Sequence, residues 1–217
     1  MTMSDDAAQR MNRMYRFQRH IYDVTRRPYL LGRTSLINGL VPPDGGAVLE
    51  IGCGTGWNVI EAAQRYPRAQ FYGFDISTVM IETAARKIAR AGLKDRIHLQ
   101  LGNATTFSGD ALFGRNGFDR IFASYILSMI PDWPAVLEQS IAHLSSAGSM
   151  HIVDFGSAQG LSAPIRVGLH AWLDQFGVKP RLTLEQEVDK AARRHGLSPF
   201  FTEMHRGYAL YAVLSRR

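Results

Sequence analysis

The sequence predicts an α/β protein built on an open, mostly parallel sheet with helices on both faces. Three observations lead there. From Ala47 onward, short apolar runs alternate with helical stretches. The first run, Val48-Leu49-Glu50-Ile51, ends in Gly52-Cys53-Gly54-Thr55-Gly56, three glycines at alternate positions, and a helix pattern follows at once. The chain closes on two strand-like runs, Phe200 to His205 and Ala209 to Leu214, around Arg206-Gly207-Tyr208, which reads as a hairpin.

The elements follow in order. Met1 to Asp6 is a polar tail. Ala7 to Arg27 is helical, because Met11, Met14, Tyr15, Gln18, Ile21, Tyr22 and Thr25 recur at spacings of three and four. Arg10, Arg13, Arg16 and Arg19 wind around its other faces, and Pro28 ends it. Tyr29 to Leu40 is a second helix, closed by Pro42, Pro43 and the Gly45-Gly46 turn. Residues 1–45 thus form an N-terminal helical cap and substrate or membrane region, ahead of a ligand-binding unit over 46–217. Ala47 to Ile51 is the first strand and Trp57 to Tyr66 its helix. Gln70 to Phe74 is the second, ending at Asp75. Ser77 caps the next helix, which Gly92 closes. Ile97 to Leu101 and Asp119 to Tyr125 are the third and fourth strands. Trp133 to Leu144 is a helix, and Ser149 to Phe155 the fifth strand. Ile165 to Phe176 and Leu184 to His195 are the last helical stretches. With the terminal hairpin the strands number seven.

Composition narrows the function classes. The chain has 217 residues, room for one large α/β domain. No apolar run is long enough to span a bilayer, and the polar start shows no signal peptide, so a cytoplasmic protein is expected. The single cysteine, Cys53, excludes internal disulfides and a cysteine-based zinc cluster, and no metal is expected. A net charge of +6 suits anionic partners. Seven arginines between Arg10 and Arg33 face only Asp5, Asp6 and Asp23, so the charge is concentrated at the start.

Ligands of such sheets sit outside the carboxyl ends of the strands. The polar residues there are Glu50, Asp75, Asn103, Ser124 and Asp154. Asp75 lies about one βα unit after the glycine turn, where an acid accepts hydrogen bonds from a ribose. The turn departs from the G-x-G-x-x-G of dinucleotide sites, since Gly56 comes one residue early. Glu50 precedes it and would repel phosphates. A cationic adenosine ligand without phosphates fits both facts.

Glu50 to Gly56, followed by Asp75, resembles the S-adenosylmethionine-dependent methyltransferases of the Rossmann-like class. The resemblance implies a seven-stranded sheet with an antiparallel last strand and S-adenosylmethionine as cofactor. It places the amino-acid end of that cofactor at Glu50, Gly52, Cys53, Gly54 and Gly56, its ribose at Asp75 with Ile76, and its adenine near Met80, Asn103 and Ala104, with Ser124 at the end of the fourth strand. Many members carry Asp where this chain has Asn103, which accepts through its side-chain oxygen without charge. The stretch from Met14 to Arg26, together with Tyr29-Leu30-Leu31-Gly32-Arg33, resembles the bacterial N-methyltransferases that finish the betaine lipid diacylglyceryl-trimethylhomoserine. These are similar in turn to bacterial phosphatidylethanolamine N-methyltransferases. That implies successive methylation of a lipid-headgroup amine at an anionic membrane surface, by a peripheral protein on the inner face. The alternatives are phosphatidylethanolamine, a soluble amine or hydroxyl acceptor, or a cofactor-binding protein without catalysis. No nucleic acid is expected as partner, because Ser124-Tyr125-Ile126-Leu127 stands where a base-flipping Asn-Pro-Pro-Tyr motif would be.

An amine nucleophile must be neutral to take a methyl group, and the product gains positive charge, which aromatic faces stabilise. Tyr22, Tyr15 and Asp154 are the catalytic candidates, and Tyr29, Arg33 and Tyr125 the substrate-binding ones. Tyr22 comes first, because its helix is expected to cover the cofactor. His20 is a candidate base or a surface histidine. Arg33 can grip a headgroup carboxylate with two parallel hydrogen bonds.

Overall fold

A computed structural model describes residues 30–216. Strands β1 (Ala47–Ile51), β2 (Gln70–Asp75), β3 (Ile97–Leu101), β4 (Phe118–Ser124), β5 (Leu144–Phe155), β6 (Ser198–Met204) and β7 (Ala209–Ser215) form one sheet in the order β3-β2-β1-β4-β5-β7-β6. Pairing is parallel from β3 through to β5, while β7 runs antiparallel to both β5 and β6. The seven strands and the antiparallel closing strand agree with the sequence. The expected helix over Ala7 to Arg27, with Tyr15, His20, Tyr22 and its arginines, lies outside the described residues, as does Tyr29.

The helices are α1 (Arg33–Gly39), α2 (Trp57–Arg65), α3 (Thr78–Arg90), α4 (Gly109–Phe113), α5 (Trp133–Ala142), α6 (Ala163–Asp174) and α7 (Leu184–His195). The central strands are buried on both faces, and alternate residues feed two cores. Leu49, Ile51, Ile121, Met150 and Ile152 pack toward α5 and α7, with Trp133, Leu137, Leu184 and Val188. Val48, Phe71, Phe122 and Val153 pack toward the other side, with Leu36, Val59, Ile88 and Leu173. A strand covered on both faces has no solvent side, which explains why β1 is apolar throughout except at Glu50. In α7, Glu185 and Glu187 sit in the first turn and Arg193, Arg194 and His195 in the last, matching the helix dipole. Ser77 caps α3 by accepting from the Met80 amide at 3.4 Å.

The order reverses at β1, whose neighbours are β2 and β4, and this opens the crevice beyond their carboxyl ends. Two elements differ from the expectation. Helix α5 stops at Ala142 and β5 begins at Leu144, which pairs with Phe118 before a register shift puts Ser149 opposite Arg120. Leu144 falls three residues after Ile141, so spacing alone continued the helix. Helix α4 is short and was not expected. No helix among the described residues is long and apolar enough to cross a membrane.

In the interior strand β5, His151 is buried between Ser149 and Tyr211. Its Nε2 lies 2.9 Å from Ser149 Oγ and its Nδ1 2.8 Å from the Tyr211 hydroxyl. Burial, aided by the nearby Arg120 cation, pushes His151 down to about 4. In the unfolded chain its imidazole takes up a proton near pH 6.5, before the folded one does. Unfolding therefore binds a proton between those values, so stability rises with pH across that window and levels off above it. Urea titrations at pH 4 to 7 should show parent and His151→Gln stabilities whose changes with pH differ by on the order of 3 kcal/mol, the parent gaining relative to the variant; equal slopes in the two proteins would remove His151 as the cause.

Candidate active site

Strand β1 delivers the chain to the crevice through three glycines in the left-handed region, Gly52 (φ 65°), Gly54 (φ 53°) and Gly56 (φ 79°). They do different work. A Cβ at Gly52 would lie 2.6 Å from Ile126, and one at Gly56 would lie 2.9 Å from Ala84, so these two let neighbouring elements close in. A Cβ at Gly54 would meet nothing within 4 Å. That is the point where a ligand can approach the backbone. Cys53 is buried against Gly73, and burial beside Asp75 and Glu50 pushes its thiol up, away from nucleophile chemistry.

Two acids frame the turn. Asp75 Oδ2 accepts the Gly54 amide at 2.9 Å and Oδ1 accepts the Ser77 amide at 2.9 Å. Each oxygen keeps a second acceptor position, which fits a pair of ribose hydroxyls. Burial raises Asp75 above its ordinary value, while the amides of Ser77, Gly54 and Ile76 pull it back. Glu50 is 1% exposed. Its Oε1 accepts from Asn58 Nδ2 at 2.7 Å, and its Oε2 has no hydrogen-bond partner. Burial lifts Glu50 to about 8, against the Asn58 hydrogen bond and the Arg33 cation. A buried acid with an unused oxygen fits a ligand ammonium group. Arg33, in the first turn of α1, stacks its guanidinium 4.2 Å over the Trp57 ring at the start of α2, with Nε donating to the Leu30 carbonyl. Beside the turn there are therefore a buried acid, Glu50, and a cation, Arg33. These residues fit S-adenosylmethionine. Met80 is buried in the interior, and Ala104 packs in the core beside Phe107.

Asn103 is placed otherwise than the sequence suggests. Its Oδ1 accepts the Thr105 amide at 3.0 Å and the Thr105 hydroxyl at 2.9 Å. Both acceptor positions of that oxygen serve the local turn, so the expected acceptance from an adenine amine is corrected. The side-chain amide nitrogen is the group left to face a ligand, and it donates.

The carboxyl ends of β4 and β5 carry the other candidate residues. Ser124 Oγ is buried with no hydrogen-bond partner. Tyr125 has φ 56°, outside the range favoured for its residue type. Its hydroxyl donates to the Leu31 carbonyl at 2.5 Å, and its ring meets Phe155 edge-on at 4.6 Å. Burial beside Asp154 and Tyr208 holds the Tyr125 hydroxyl well above its ordinary value, so it is no base near neutral pH. Leu30, Tyr125, Met129, Phe155, Trp172 and Phe176 line an apolar pocket there.

Asp154 does not reach that pocket. It is fully buried, with Oδ1 accepting the Phe155 amide at 2.8 Å and Oδ2 the Ser128 amide at 3.1 Å. The carboxylate holds the short 3-10 turn Leu127–Met129, so the expected contact with an acceptor amine is corrected to a loop-holding one. Burial lifts it to about 6. Arg181 grips the same loop from the other side, through the carbonyls of Leu127 at 3.0 Å and Ile130 at 2.6 Å. The sequence analysis missed Arg181 and Asn58. Asn58 was findable, two residues past the last glycine of the turn; Arg181 lies in an irregular stretch with no motif. Among the described residues no group of His, Cys, Asp or Glu is placed to hold a metal ion.

A model of the methyltransferase domain matches residues 43–191. The chain belongs to the methyltransferase-domain family. Its curated relatives include a demethylmenaquinone methyltransferase of Symbiobacterium thermophilum, 31% identical over 157 residues, covering 72% of this chain and 59% of that protein. Another is a trans-aconitate 2-methyltransferase of Deinococcus radiodurans, 31% identical over 105 residues, covering 48% of this chain and 36% of that protein. The chain thus spans less than two thirds of the length of these relatives. Among solved structures, the YcgJ protein of Bacillus subtilis shares the fold with a TM-score of 0.63, 15% identical over 86% of this chain and 98% of that one. Phosphoethanolamine N-methyltransferase 2 of Haemonchus contortus, solved with S-adenosyl-L-methionine, does so with a TM-score of 0.68, 17% identical over 85% of this chain and 52% of that one.

With burial lifting it to about 8, Glu50 is expected to hold a proton near neutral pH in the empty site of this methyltransferase-family chain and to lose it to a ligand ammonium group. The affinity for S-adenosylmethionine should therefore rise about tenfold per unit between about pH 5.5 and pH 7. Calorimetry in two buffers of different ionisation enthalpy should count roughly one proton released on binding. Glu50→Gln should bind more weakly and release none; a parent protein that releases none would show that Glu50 stays protonated beside the ligand.

Proposed function

We propose that the chain is an S-adenosylmethionine-dependent N-methyltransferase that acts on a lipid-headgroup amine, converting diacylglycerylhomoserine to its trimethyl betaine in successive steps. The observation that carries the reading is the aromatic lining of the pocket beside Ser124, where Tyr125, Phe155, Trp172 and Phe176 converge. A methylated ammonium is a bulky cation that cannot take part in strong hydrogen bonding once its protons are replaced. Aromatic faces stabilise it by about 0.5–2 kcal/mol each. The Glu50 oxygen without a partner, the open approach at Gly54 and the Asp75 carboxylate support the cofactor assignment. S-adenosylmethionine brings a methyl group on a sulfonium, open to in-line attack.

The residues around the pocket orient the acceptor rather than deprotonate it. A primary alkylammonium is mostly protonated near pH 7, so the small neutral fraction must be selected. Tyr125 has its hydroxyl tied to Leu31, and Asp154 is spent on the loop. An apolar wall favours the neutral amine over its ammonium form, since burying the bare charge costs free energy. Tyr15, Tyr22 and Tyr29 are assigned to orienting the amine and headgroup, and Arg33 to the headgroup carboxylate. The arginines from Arg10 to Arg19 are assigned to an anionic membrane surface, with the protein peripheral on its cytoplasmic face.

A second reading, a phosphoethanolamine or phosphatidylethanolamine acceptor, draws on the Haemonchus contortus phosphoethanolamine N-methyltransferase 2, which shares the fold and was also solved with phosphomonomethylethanolamine. Mass spectrometry of lipids from a host supplied with this chain and diacylglycerylhomoserine separates the two. Successive methyl additions to the homoserine lipid are expected; additions to the ethanolamine lipid alone would transfer the assignment. Asp75→Ala should weaken S-adenosylmethionine binding roughly tenfold or more, the loss of a charge-assisted hydrogen bond, and should abolish the methylated lipid. Unchanged affinity in that variant would sink the cofactor assignment.

A further inference from the structure

Helix α6 is an apolar helix that the described residues leave largely uncovered. Of its twelve residues only Leu173 is buried. Ile165 and Val167 are 60% and 67% exposed, and Leu182, in the connection that follows, is 66% exposed. Isolated exposed aliphatics are ordinary on a protein surface, and what singles out Ile165 is the row of apolar residues that it begins. Ile165, Leu169, Trp172 and Phe176 also follow one another at spacings of four, three and four, so they lie along a single stripe. Trp172 and Phe176 end that stripe inside the acceptor pocket, and Leu169 packs partly on the same core. The stripe therefore runs without a polar break from the pocket to the exposed Ile165.

Cations outnumber acids around it: from 156 to 183 the chain carries Arg166 and Lys179 against Asp174, with Arg181 turned to the loop after β4. Arg206, in the turn between β6 and β7, packs directly over Gly160 just ahead of α6. Aliphatic side chains flanked by cations are what a helix needs to lie in the headgroup region of an anionic bilayer.

We propose that α6 is the face by which the protein sits in an anionic bilayer, its Ile165–Phe176 stripe leading the acceptor's acyl chains from the lipid to the pocket. This rests on the lipid-acceptor reading above. It adds a second contact to the one assigned to the early arginines, and it sets the headgroup amine at the pocket while the chains stay in hydrocarbon. A substrate with two acyl chains cannot leave the bilayer cheaply, so the pocket has to open toward it.

The test uses the full chain and sedimentation with vesicles of equal parts phosphatidylcholine and phosphatidylglycerol, against phosphatidylcholine alone. The parent should partition onto the anionic vesicles. Ile165→Glu with Val167→Glu should lower that partition about tenfold, while Ile165→Leu with Val167→Leu keeps it. Calorimetric affinity for S-adenosylmethionine should be the same in all three proteins, because neither residue touches the glycine turn. Unchanged partition of the Glu pair overturns the proposal. So does a Glu pair whose thermal midpoint and cofactor affinity fall while vesicle partition holds, since α6 would then pack against the chain's own residues. A parent that partitions through α6 yet methylates no lipid keeps the docking face and overturns the acceptor reading instead.

Discussion

The ligand edge of this protein hangs on one carboxylate. Asp75 accepts the amide of Gly54 with one oxygen and the amide of Ser77 with the other, so a single side chain at the end of β2 joins the turn after β1 to the start of α3. Three glycines in the left-handed region form a segment with much conformational freedom to lose. A buried carboxylate is costly without compensation, and charge-assisted hydrogen bonds supply it. The same two bonds that satisfy Asp75 hold Gly54 open toward the crevice, and they leave one acceptor position on each oxygen. The turn's shape and its capacity for a ligand thus have one cause.

The loop after β4 is the second shared part. Ile126 lies where any side chain at Gly52 would have to go, while Tyr125 and Met129 line the apolar pocket. One loop therefore touches the glycine turn on one side and the pocket on the other. Asp154 from β5 and Arg181 from the connection before α7 fix it by its amides and carbonyls respectively. The backbone N–H of Lys179 adds a hydrogen bond to the Ser128 carbonyl at 3.0 Å. Donor and acceptor geometry are set here by backbone groups, with side chains acting as struts.

The fold was legible because its signals are local. Alternating apolar runs and helices, the glycine turn, the Ser77 cap and the hairpin all declare themselves within a few residues, and Leu184 to His195 emerged with the boundaries its sequence implies. What failed depends on contacts between distant residues. Leu144 satisfied a helical spacing until the pairing with Phe118 drew it into the sheet. Asp154 and Asn103 stand at strand ends on the ligand side, as their positions required, yet position does not say which neighbour a side chain bonds. Asp154 turned to the loop amide of Ser128, and Asn103 to Thr105 two residues on. Arg181 has no pattern around it, and its role exists only because the connection before α7 passes the β4 loop.

The placement of β7 bears on how the molecule is assembled. Strand β5 carries Asp154 and borders the pocket, but its partner on one side comes from far along the chain: Phe155 pairs with Ala209, and Ser149 with Ser215. Closing that gap requires α6, α7 and β6 to be threaded first, and loop closure over such a span is an entropic cost met before any pairing is gained. Until β7 inserts, β5 presents an unpaired apolar edge, the kind of surface that recruits strands from other molecules.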